Sequence, residues 1–398
     1  MGIAYRPAIA TLLAALTGCA ALPPAPAEPP AASIVLGFDG RGIGDSVIAG
    51  LADRASGRAL TLDDPVRIAS ISKLAVALAV LRMVDAGRLD LDRDVSDYLG
   101  WRLRHPAFPD RQVTLRLLLS HTAGLRDDVE YALPLDVTLD AALANPAAWD
   151  KAHGPGDGWF KYANLNFPVI AAVMEAVDRD RFDRIMARRV FAPLGLDACF
   201  NWTLCSDDAV ARAVVLYRAN GDVARDDLDG RRPDCPVVPA SDGGCDLAAY
   251  RPGVNGAAFS PQGGMRISAR DLARLGQMLL RDGQGFLSPA AMAMLRTPLW
   301  SYDGTNGDTE GGFFCSYGLA VQFLGSAAPG CRDQPFADKR PRFGHAGEAY
   351  GLKSGLWVDP AAATGVVWFA TQVPDDEPKG ETAFYAVEER LLAALSRR

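Results

Sequence analysis

Residues 74–81 form an unbroken apolar run that limits how this chain can fold. A helix at this position has no polar face, so it is buried. Gly87 is placed to end that helix, because glycine is common directly after a helix C-terminus. The sequence has 398 residues, a length at which a single hydrophobic core has usually stopped growing. We therefore expect either one large domain or two subdomains that share a cleft.

Strand patterns lie near both ends of the chain, and helix patterns lie between them. Two apolar segments, 34–38 and 47–51, flank turn residues at 39–42 and predict a β-hairpin. Further strands are predicted at 66–69, 317–324, 351–358 and 364–371, and helices at 167–177, 182–191, 272–280, 290–295 and 382–395. This order predicts an α/β domain whose sheet combines residues 33–69 and 313–398, with a mainly helical middle, 70–300, containing an inserted helical subdomain.

Ser70 and Lys73 are the first candidates for chemistry. They lie three residues apart on the first turn of a predicted helix, so their side chains share a face and the amine can reach the hydroxyl. A serine hydroxyl needs a neighbouring base to attack an acyl carbon, and a lysine serves where burial and the positive helix start lower its pKa. The alternative is a solvated lysine near a capping serine, because Ser-x-x-Lys alone is a weak signal.

Two later segments support the catalytic interpretation. Tyr162 and Asn164 offer a phenol and an amide from one short segment, and the segment 345–347 (His-Ala-Gly) leads into a strand. The ordered set Ser-x-x-Lys, Tyr-x-Asn and His-x-Gly resembles the class C β-lactamase and DD-peptidase group of serine hydrolases, which includes esterases and D-amino-acid peptidases. Residues 118–125, 260–264 and 268–273 add further matches. The resemblance implies an α+β fold of the β-lactamase/transpeptidase type, in which helices flank an antiparallel sheet.

The resemblance also implies catalytic roles. Ser70 would be the acylated nucleophile, and Lys73 would accept its proton or keep the proton network correctly charged. Tyr162 would protonate the leaving group and help to activate water. The backbone N–H groups of Ser70 and Glu348 would form the oxyanion hole, in which the loss of one donor typically costs about 10²–10³ in rate.

Three further residues are implied to bind substrate. Asn164 would hydrogen-bond the amide of the substrate, His345 would lie beside Tyr162 and help to set the charge of the pocket, and Gly347 would let the backbone approach the substrate. Taken singly, Tyr162, Asn164 and His345 can also be packing or capping residues. We interpret His121 as structural, near a turn.

The third motif departs from the pattern that β-lactam recognition commonly uses. That pattern is Lys-Thr-Gly, whereas here His345-Ala346-Gly347 lacks the hydroxyl and is cationic only when the imidazole is protonated. This departure favours an esterase or a peptidase of D-amino-acid substrates over an efficient β-lactamase. The long segments 226–255 and 301–312 are rich in Gly, Asp and Pro and are expected to border the site.

The N-terminus has the features of a lipoprotein signal. Residues 1–18 contain Arg6 and then an apolar run that is too short to span a bilayer. Residues 16–19 (Leu-Thr-Gly-Cys) resemble the bacterial lipobox, in which Cys19 becomes lipidated and several acyl chains anchor the protein. Residues 19–32 would form a Pro/Ala-rich tether, followed by the hydrolase domain at 33–398. We expect a periplasmic location on the outer membrane; the alternative is an ordinary cleaved signal with a stray cysteine.

Six cysteines remain if Cys19 is lipidated, and an even number in an exported protein indicates disulfides. Neighbours in sequence give the candidate pairs, although sequence does not fix connectivity and free buried thiols are the alternative: Cys199 with Cys205, Cys235 with Cys245, and Cys315 with Cys331. We expect no metal, because no Cys-x-x-Cys occurs and the histidines are not spaced as ligand pairs. The net charge of −7 argues against nucleic acid as a partner.

Together these features predict an envelope serine hydrolase that works through an acyl-serine on an ester, an amide or a β-lactam, without a cofactor. Its partners would be a small-molecule or short-peptide acyl substrate and the membrane, and we expect a monomer. The alternative is a cell-wall-sensing or slow penicillin-binding lipoprotein on the same fold, since the placement of one water separates fast from slow deacylation.

Overall fold

A nine-stranded antiparallel sheet lies at the centre of the computed structural model, which describes residues 32–398. Numbered in chain order, its strands run across the sheet as β3 (Arg58–Ala59), β2 (Ile43–Asp53), β1 (Ala32–Asp39), β14 (Thr364–Ala370), β13 (Leu352–Asp359), β12 (Arg342–Ala349), β11 (Gln322–Leu324), β10 (Ser316–Tyr317) and β9 (Trp300–Ser301). The first and last strands of the chain meet at the centre, where Ser33 pairs with Ala370 and Asp39 with Thr364. The sheet therefore joins the two ends of the described chain.

Helices and two small sheets make up the rest of the structure. The helices are α1 (Ile71–Asp85), α2 (Ser96–Leu99), α3 (Leu115–Leu119), α4 (Leu139–Leu143), α5 (Asn166–Asp178), α6 (Phe182–Met186), α7 (Ala192–Leu194), α8 (Asp207–Ala211), α9 (Ala269–Leu280), α10 (Pro289–Leu295) and α11 (Ala386–Leu395). The small sheets contain β4 (Val66–Arg67), β8 (Met265–Ile267) and β5 (Cys199–Phe200), and β6 (Leu216–Tyr217) with β7 (Val223–Arg225). A 3₁₀ turn, Pro146–Ala148, and a π-helical segment, Ala187–Phe191, complete the helical elements.

Side-chain alternation along the central strands gives the sheet two covered faces. On β1, Ile34 and Leu36 join the core that contains α1 and α9, whereas Val35 joins the core under α11. All eight residues of β13 are buried, as expected for a strand with elements packed on both faces. Residues 74–81 of α1 are completely buried, as their apolar pattern predicts. Helix α1 is thus packed between the sheet and the helical middle.

Most predicted elements are confirmed. The hairpin at 34–51, the helices at 167–177, 272–280 and 290–295, and the strands at 351–358 and 364–371 are present within three residues of their expected outer bounds. The predicted helix at 182–191 consists of α6 and the π-helical segment that continues it. Gly87 follows the end of α1 with a φ of +65°, which is the left-handed conformation expected of a glycine directly after a helix.

Two expectations about element bounds and two about sheet membership are wrong. Residues 317–324 form two short strands, because a tight turn closed by a hydrogen bond from Gly318 N to Val321 O reverses the chain. The last helix begins at Ala386 instead of residue 382, since Tyr385 is extended and caps it. Strand β4 pairs with β8 in a small sheet, outside the main sheet. Strand β9, before residue 313, belongs to the main sheet.

All three candidate cysteine pairs form disulfides: Cys199–Cys205, Cys235–Cys245 and Cys315–Cys331. The candidate signal, the lipidation site at Cys19 and nearly all of the tether lie outside the described residues. Within residues 32–398, no helix is long and apolar enough to cross a membrane.

Substitution of Gly276 tests the packing of α9 on the sheet. A Cβ atom at this position would lie 2.3 Å from Phe38 Cζ and 3.0 Å from Leu356 Cδ1. Glycine to alanine in an exposed helix stabilises by about 1 kcal/mol, but here we expect Gly276→Ala to lower the free energy of unfolding by about 1–3 kcal/mol through overpacking. Urea denaturation measures this change in the free energy of unfolding. Gly42→Ala is the control, since nothing lies within 4 Å of its added Cβ; a stabilised Gly276→Ala protein would contradict the packing.

Candidate active site

Ser70 and Lys73 meet at the N-terminus of α1, as their spacing predicts. Ser70 is the N-cap residue, but its side chain makes no capping hydrogen bond. Lys73 Nζ instead donates to Ser70 Oγ at 2.9 Å, to Asn164 Oδ1 at 2.8 Å and to the Gln262 backbone oxygen at 2.8 Å. The three protons of an ammonium group therefore have three acceptors, one of which is the candidate nucleophile.

The environment of Lys73 brings its titration close to neutral pH. The side chain is completely buried, and burial lowers the pKa of the amine from its usual value of 10.5 to about 7. The Asp127 and Glu310 carboxylates act in the opposite direction and favour the charged form. Both the ammonium and the free amine are therefore populated near pH 7, so this group can hold or release a proton during a reaction.

Tyr162 is fixed beside Ser70 and Lys73 by aromatic stacking. Its ring stacks on His121, with 4.4 Å between centroids, and on Phe314, with 4.6 Å between centroids. Lys73 Nζ lies 4.9 Å from the centroid of the ring, and the phenol faces the Ser70 hydroxyl. Burial raises the pKa of Tyr162 well above 10, so the phenol keeps its proton and can act as an acid.

Asn164 connects Lys73 to a carboxylate that the sequence analysis missed. Its Oδ1 accepts from Lys73, and its Nδ2 donates to Asp127 Oδ2 at 2.9 Å. Asp127 also accepts from the backbone N–H groups of Asn164 at 2.8 Å and Leu165 at 3.0 Å. Asn164 borders the cleft, but its amide is already engaged, so the expected hydrogen bond to substrate competes with the one to Lys73. The one sequence signal for Asp127 was its position two residues after segment 118–125, which matches the family.

His345 lies beside Tyr162 as expected, with 6.1 Å between ring centroids, but its predicted contribution to the charge of the pocket is wrong. Its side chain is buried behind the cleft and accepts a hydrogen bond from the Tyr317 hydroxyl at 2.8 Å. Burial and the charge of Lys73 lower the pKa of His345 to about 3, so the imidazole is neutral. The neutral ring accepts from Tyr317 and is not among the residues that line the cleft; substrate binding by His345 stays a prediction.

His121 has the structural role that the sequence indicates. It is buried, has a φ of +57° and accepts a hydrogen bond at Nδ1 from Ala163 N at 3.1 Å. Burial, with Lys73 as the next cause, lowers its pKa well below 6.5. The neutral imidazole therefore supports the ring of Tyr162 without adding charge.

The third motif brings β12 against the start of α1. A Cβ atom at Gly347 would lie 2.3 Å from Ile68 O and 3.2 Å from Ser70 N, so only glycine allows this approach. The strand backbone therefore lies beside the Ser70 N–H, as an oxyanion hole built from Ser70 and Glu348 requires. The Glu348 side chain forms an ion pair with Lys353 at the border of the cleft. The positive end of the α1 dipole adds to the attraction for a developing oxyanion.

The candidate catalytic groups lie at a cleft of about 640 Å³. Ser70, Tyr162, Asn164 and Gly347 line it, and the segments 226–255 and 301–312 contribute Val238 and Glu310, as expected of bordering loops. The Cys315–Cys331 disulfide anchors the chain next to Phe313 and Phe314, which also line the cleft. A hydroxyl, an amine that titrates near pH 7 and a protonated phenol can together perform nucleophilic acyl transfer.

Gln262 lines the cleft and was not singled out by the sequence analysis, although it lies inside the matching segment 260–264. Its backbone oxygen accepts from Lys73, and its Oε1 is buried without a hydrogen-bond partner among the described residues. A buried amide oxygen without a partner costs free energy. It is therefore available to an N–H group of a bound molecule.

The curated proteins similar to this chain include a penicillin-binding protein and an esterase. Penicillin-binding protein 4 of Amycolatopsis lactamdurans is 26% identical over 267 residues, which cover 64% of this chain and 64% of that protein. Esterase EstB of Burkholderia gladioli is 35% identical over 165 residues, which cover 38% of this chain and 42% of the esterase. The chain thus matches less than two thirds of the length of these curated relatives.

Solved structures share the fold over nearly the whole chain. The D-amino acid amidase from Ochrobactrum anthropi SV3 has a TM-score of 0.63 at 19% identity, over 92% of this chain and 94% of the amidase. EstCE1, described as a hydrolase with promiscuous acyltransferase activity, has a TM-score of 0.65 at 24% identity, over 91% and 92% of the two chains. These likenesses confirm the predicted fold. Because the family described as Beta-lactamase matches residues 29–390, this chain belongs to the beta-lactamase family.

Proposed function

We propose that this protein is a serine hydrolase that cleaves esters or amides through an acyl-serine at Ser70. The observation that carries the proposal is the 2.9 Å hydrogen bond between Lys73 Nζ and Ser70 Oγ, made by an amine whose pKa is about 7. An amine that is partly neutral at physiological pH can remove the proton of a serine hydroxyl. A surface lysine that never loses its proton cannot do so.

The proposed reaction has two steps. In the first, Ser70 Oγ attacks the acyl carbon, its proton moves to Lys73 Nζ, and the N–H groups of Ser70 and Glu348 bind the oxyanion. Tyr162 then donates its proton to the departing oxygen or nitrogen and recovers one from Lys73. In the second step, water attacks the acyl carbon and gives a proton to Lys73 Nζ. That proton passes to Ser70 Oγ as the bond between the acyl carbon and Oγ breaks, which releases the acid and restores Ser70.

The substrate class follows from the third motif and from the relatives. His345 is neutral and buried, and Ala346 offers no hydroxyl, so this segment lacks groups that would hold a substrate carboxylate. This favours esters and amides over β-lactams, in agreement with the names of two relatives, an esterase and a D-amino acid amidase. A penicillin-binding protein is also among the relatives, so slow acylation by penicillins is the alternative outcome.

We also propose that the protein is an exported lipoprotein of the outer membrane, anchored through Cys19. The signal-like pattern at 1–18 and the lipobox-like residues 16–19 support export. The three disulfides support an oxidising compartment, since such bonds are rare in the cytosol. A monomeric domain on a Pro/Ala-rich tether would then act on small acyl substrates in the periplasm.

Ester hydrolysis tests the proposed activity. We expect the purified domain to hydrolyse 4-nitrophenyl butyrate, and Ser70→Ala to lower kcat/KM by at least about 10³-fold, as loss of a nucleophile does. The rate of the wild type should rise with pH around pH 7, because the free amine of Lys73 is the reactive form. Ser396→Ala, an exposed serine, is the matched control. Equal rates for Ser70→Ala and the wild type would contradict the proposal.

Neutralising Asp127 tests the electrostatic account of Lys73. The Asp127 carboxylate raises the pKa of the amine, so its loss in Asp127→Asn should lower that pKa and move the rise in rate to lower pH. The neighbouring Asp128→Asn is the control, because Asp128 is exposed and pairs with Arg126. The measurement is the rate of Ser70 labelling by a fluorophosphonate as a function of pH. Identical shifts in the two variants, or a shift to higher pH, would refute this account.

Lipid labelling tests the anchor. In a bacterial host that supplies radioactive palmitate, the full chain should be labelled and sediment with membranes, whereas Cys19→Ser should be unlabelled and remain soluble in the periplasm. Cys19 is the only cysteine outside the three disulfides, so the label reports on one residue. An unlabelled, soluble wild-type chain would contradict the lipoprotein proposal.

A further inference from the structure

Arg67 is a buried cation that shares its nearest carboxylate, Asp226, with another arginine, Arg266. It lies on β4, three residues before Ser70, and lines the same cleft. Its side chain is nearly fully buried, with 6% of the residue exposed, and its Nε and Nη1 atoms have no hydrogen-bond partner among the described residues. A buried charge without a partner is strongly destabilising, so this arrangement calls for an anion.

A second arginine lies at the same end of the cleft. Arg225, an exposed residue of β7, also lines the cleft. The Cζ atoms of Arg67 and Arg225 lie 4.9 Å and 5.2 Å from the centroid of the Tyr350 ring. Tyr350 is itself partly exposed and has a φ of +54°, at the turn that follows β12. The two guanidinium groups therefore approach one aromatic side chain.

The charged groups around Arg67 and Arg225 leave this end of the cleft with an excess of positive charge. Arg266 and Arg225 both act to lower the pKa of Arg67, which burial brings to about 10, so the group is still charged at neutral pH. Asp226 is the carboxylate that faces them, but it already accepts from Arg266 at 2.8 Å and 3.2 Å and from Trp202 at 2.9 Å. Three guanidinium groups thus share one carboxylate that is already hydrogen-bonded.

Acidic residues elsewhere on the cleft do not neutralise this end. Glu348 pairs with Lys353. Glu130 is exposed, and its side chain accepts from Ala132 N. Glu310 interacts with Lys73 and Lys161, and Glu388 accepts hydrogen bonds from Tyr385 N and Trp368 Nε1. The cleft is therefore divided between an end with mixed charge and an end with excess positive charge.

We propose that Arg67 and Arg225 form an anion subsite that binds a carboxylate of the substrate. A guanidinium presents parallel N–H donors that match the two oxygens of a carboxylate. The Cα atoms of Arg67 and Ser70 lie at most ~11 Å apart, and both residues line the same cleft, so one small substrate can contact both side chains. The substrate class is then a half-ester or half-amide of a dicarboxylic acid, or an ester with an acidic leaving group. This inference rests on the proposed acyl transfer at Ser70.

Matched substrates test the subsite. One pair places the charge on the acyl group, mono-4-nitrophenyl glutarate against 4-nitrophenyl pentanoate. The other places it on the leaving group, 4-acetoxybenzoate against phenyl acetate. We expect the wild type to prefer the anionic member of one pair in kcat/KM. Arg67→Met should lower kcat/KM for that member by about 10–100-fold, the usual effect of losing a charged hydrogen bond, and change the neutral member by less than about 3-fold.

Arg225→Gln tests the same subsite if Arg67→Met fails to fold, since an exposed arginine is removable without loss of the core. We expect it to reduce the preference for the anionic ester, and high salt to weaken that preference in the wild type. Arg231→Gln is the matched control, because the side chain of Arg231 is 81% exposed and does not line the cleft. If the wild type hydrolyses the anionic and neutral members equally well, or if these variants leave its preference unchanged, the anion subsite is refuted.

A binding measurement separates failure of the subsite from failure of the proposed reaction. Calorimetry of glutarate with the Ser70→Ala protein does not depend on turnover. We expect binding that Arg225→Gln, added to Ser70→Ala, weakens several-fold and that Arg231→Gln leaves unchanged. Absence of Ser70-dependent hydrolysis with this binding intact would refute the reaction and retain the anion subsite. Equal glutarate binding by all the variants would refute the subsite.

Discussion

The burial of one lysine organises this structure. Lys73 lies in the first turn of α1, and the next eight residues are completely buried, so its ammonium group needs acceptors that the helical backbone does not provide. Segments distant in sequence supply them through Asn164 and Gln262, and Ser70 supplies the third. Because a buried charge without partners is strongly destabilising, the fold and the site depend on the same contacts. Removal of the lysine would therefore affect both stability and chemistry.

The groups around Lys73 keep the local charge small. His121 and His345 lie close to the site and both are neutral, because burial and the charge of Lys73 lower their pKa values. Burial keeps the phenols of Tyr162 and Tyr317 protonated. Lys73 is thus the one group of this cluster with a pKa near 7. A site in which one amine titrates near neutral pH can move a single proton between nucleophile and leaving group without gaining net charge.

Sequence patterns predict much of the fold and part of the site. The apolar runs of β1 and α1 identify a buried strand and the central helix, because residues buried on all sides are apolar. Asp127 and Gln262 were missed, since an aspartate in a polar segment and a backbone oxygen leave no such pattern. The role of His345 was misjudged because motif spacing does not show whether a side chain faces the cleft or the core. The charge of Arg67 becomes notable only when the surrounding carboxylates are located in space.

The central claim is that Ser70 becomes acylated, and intact mass spectrometry tests it most directly. The wild type, mixed with 4-nitrophenyl butyrate and quenched in acid within milliseconds, should gain the mass of one butyryl group. Digestion should locate that group on the peptide containing Ser70, and the Ser70→Ala protein should gain nothing. An adduct at another residue, or hydrolysis by the wild type with no adduct at any quench time and undiminished in Ser70→Ala, would contradict the account.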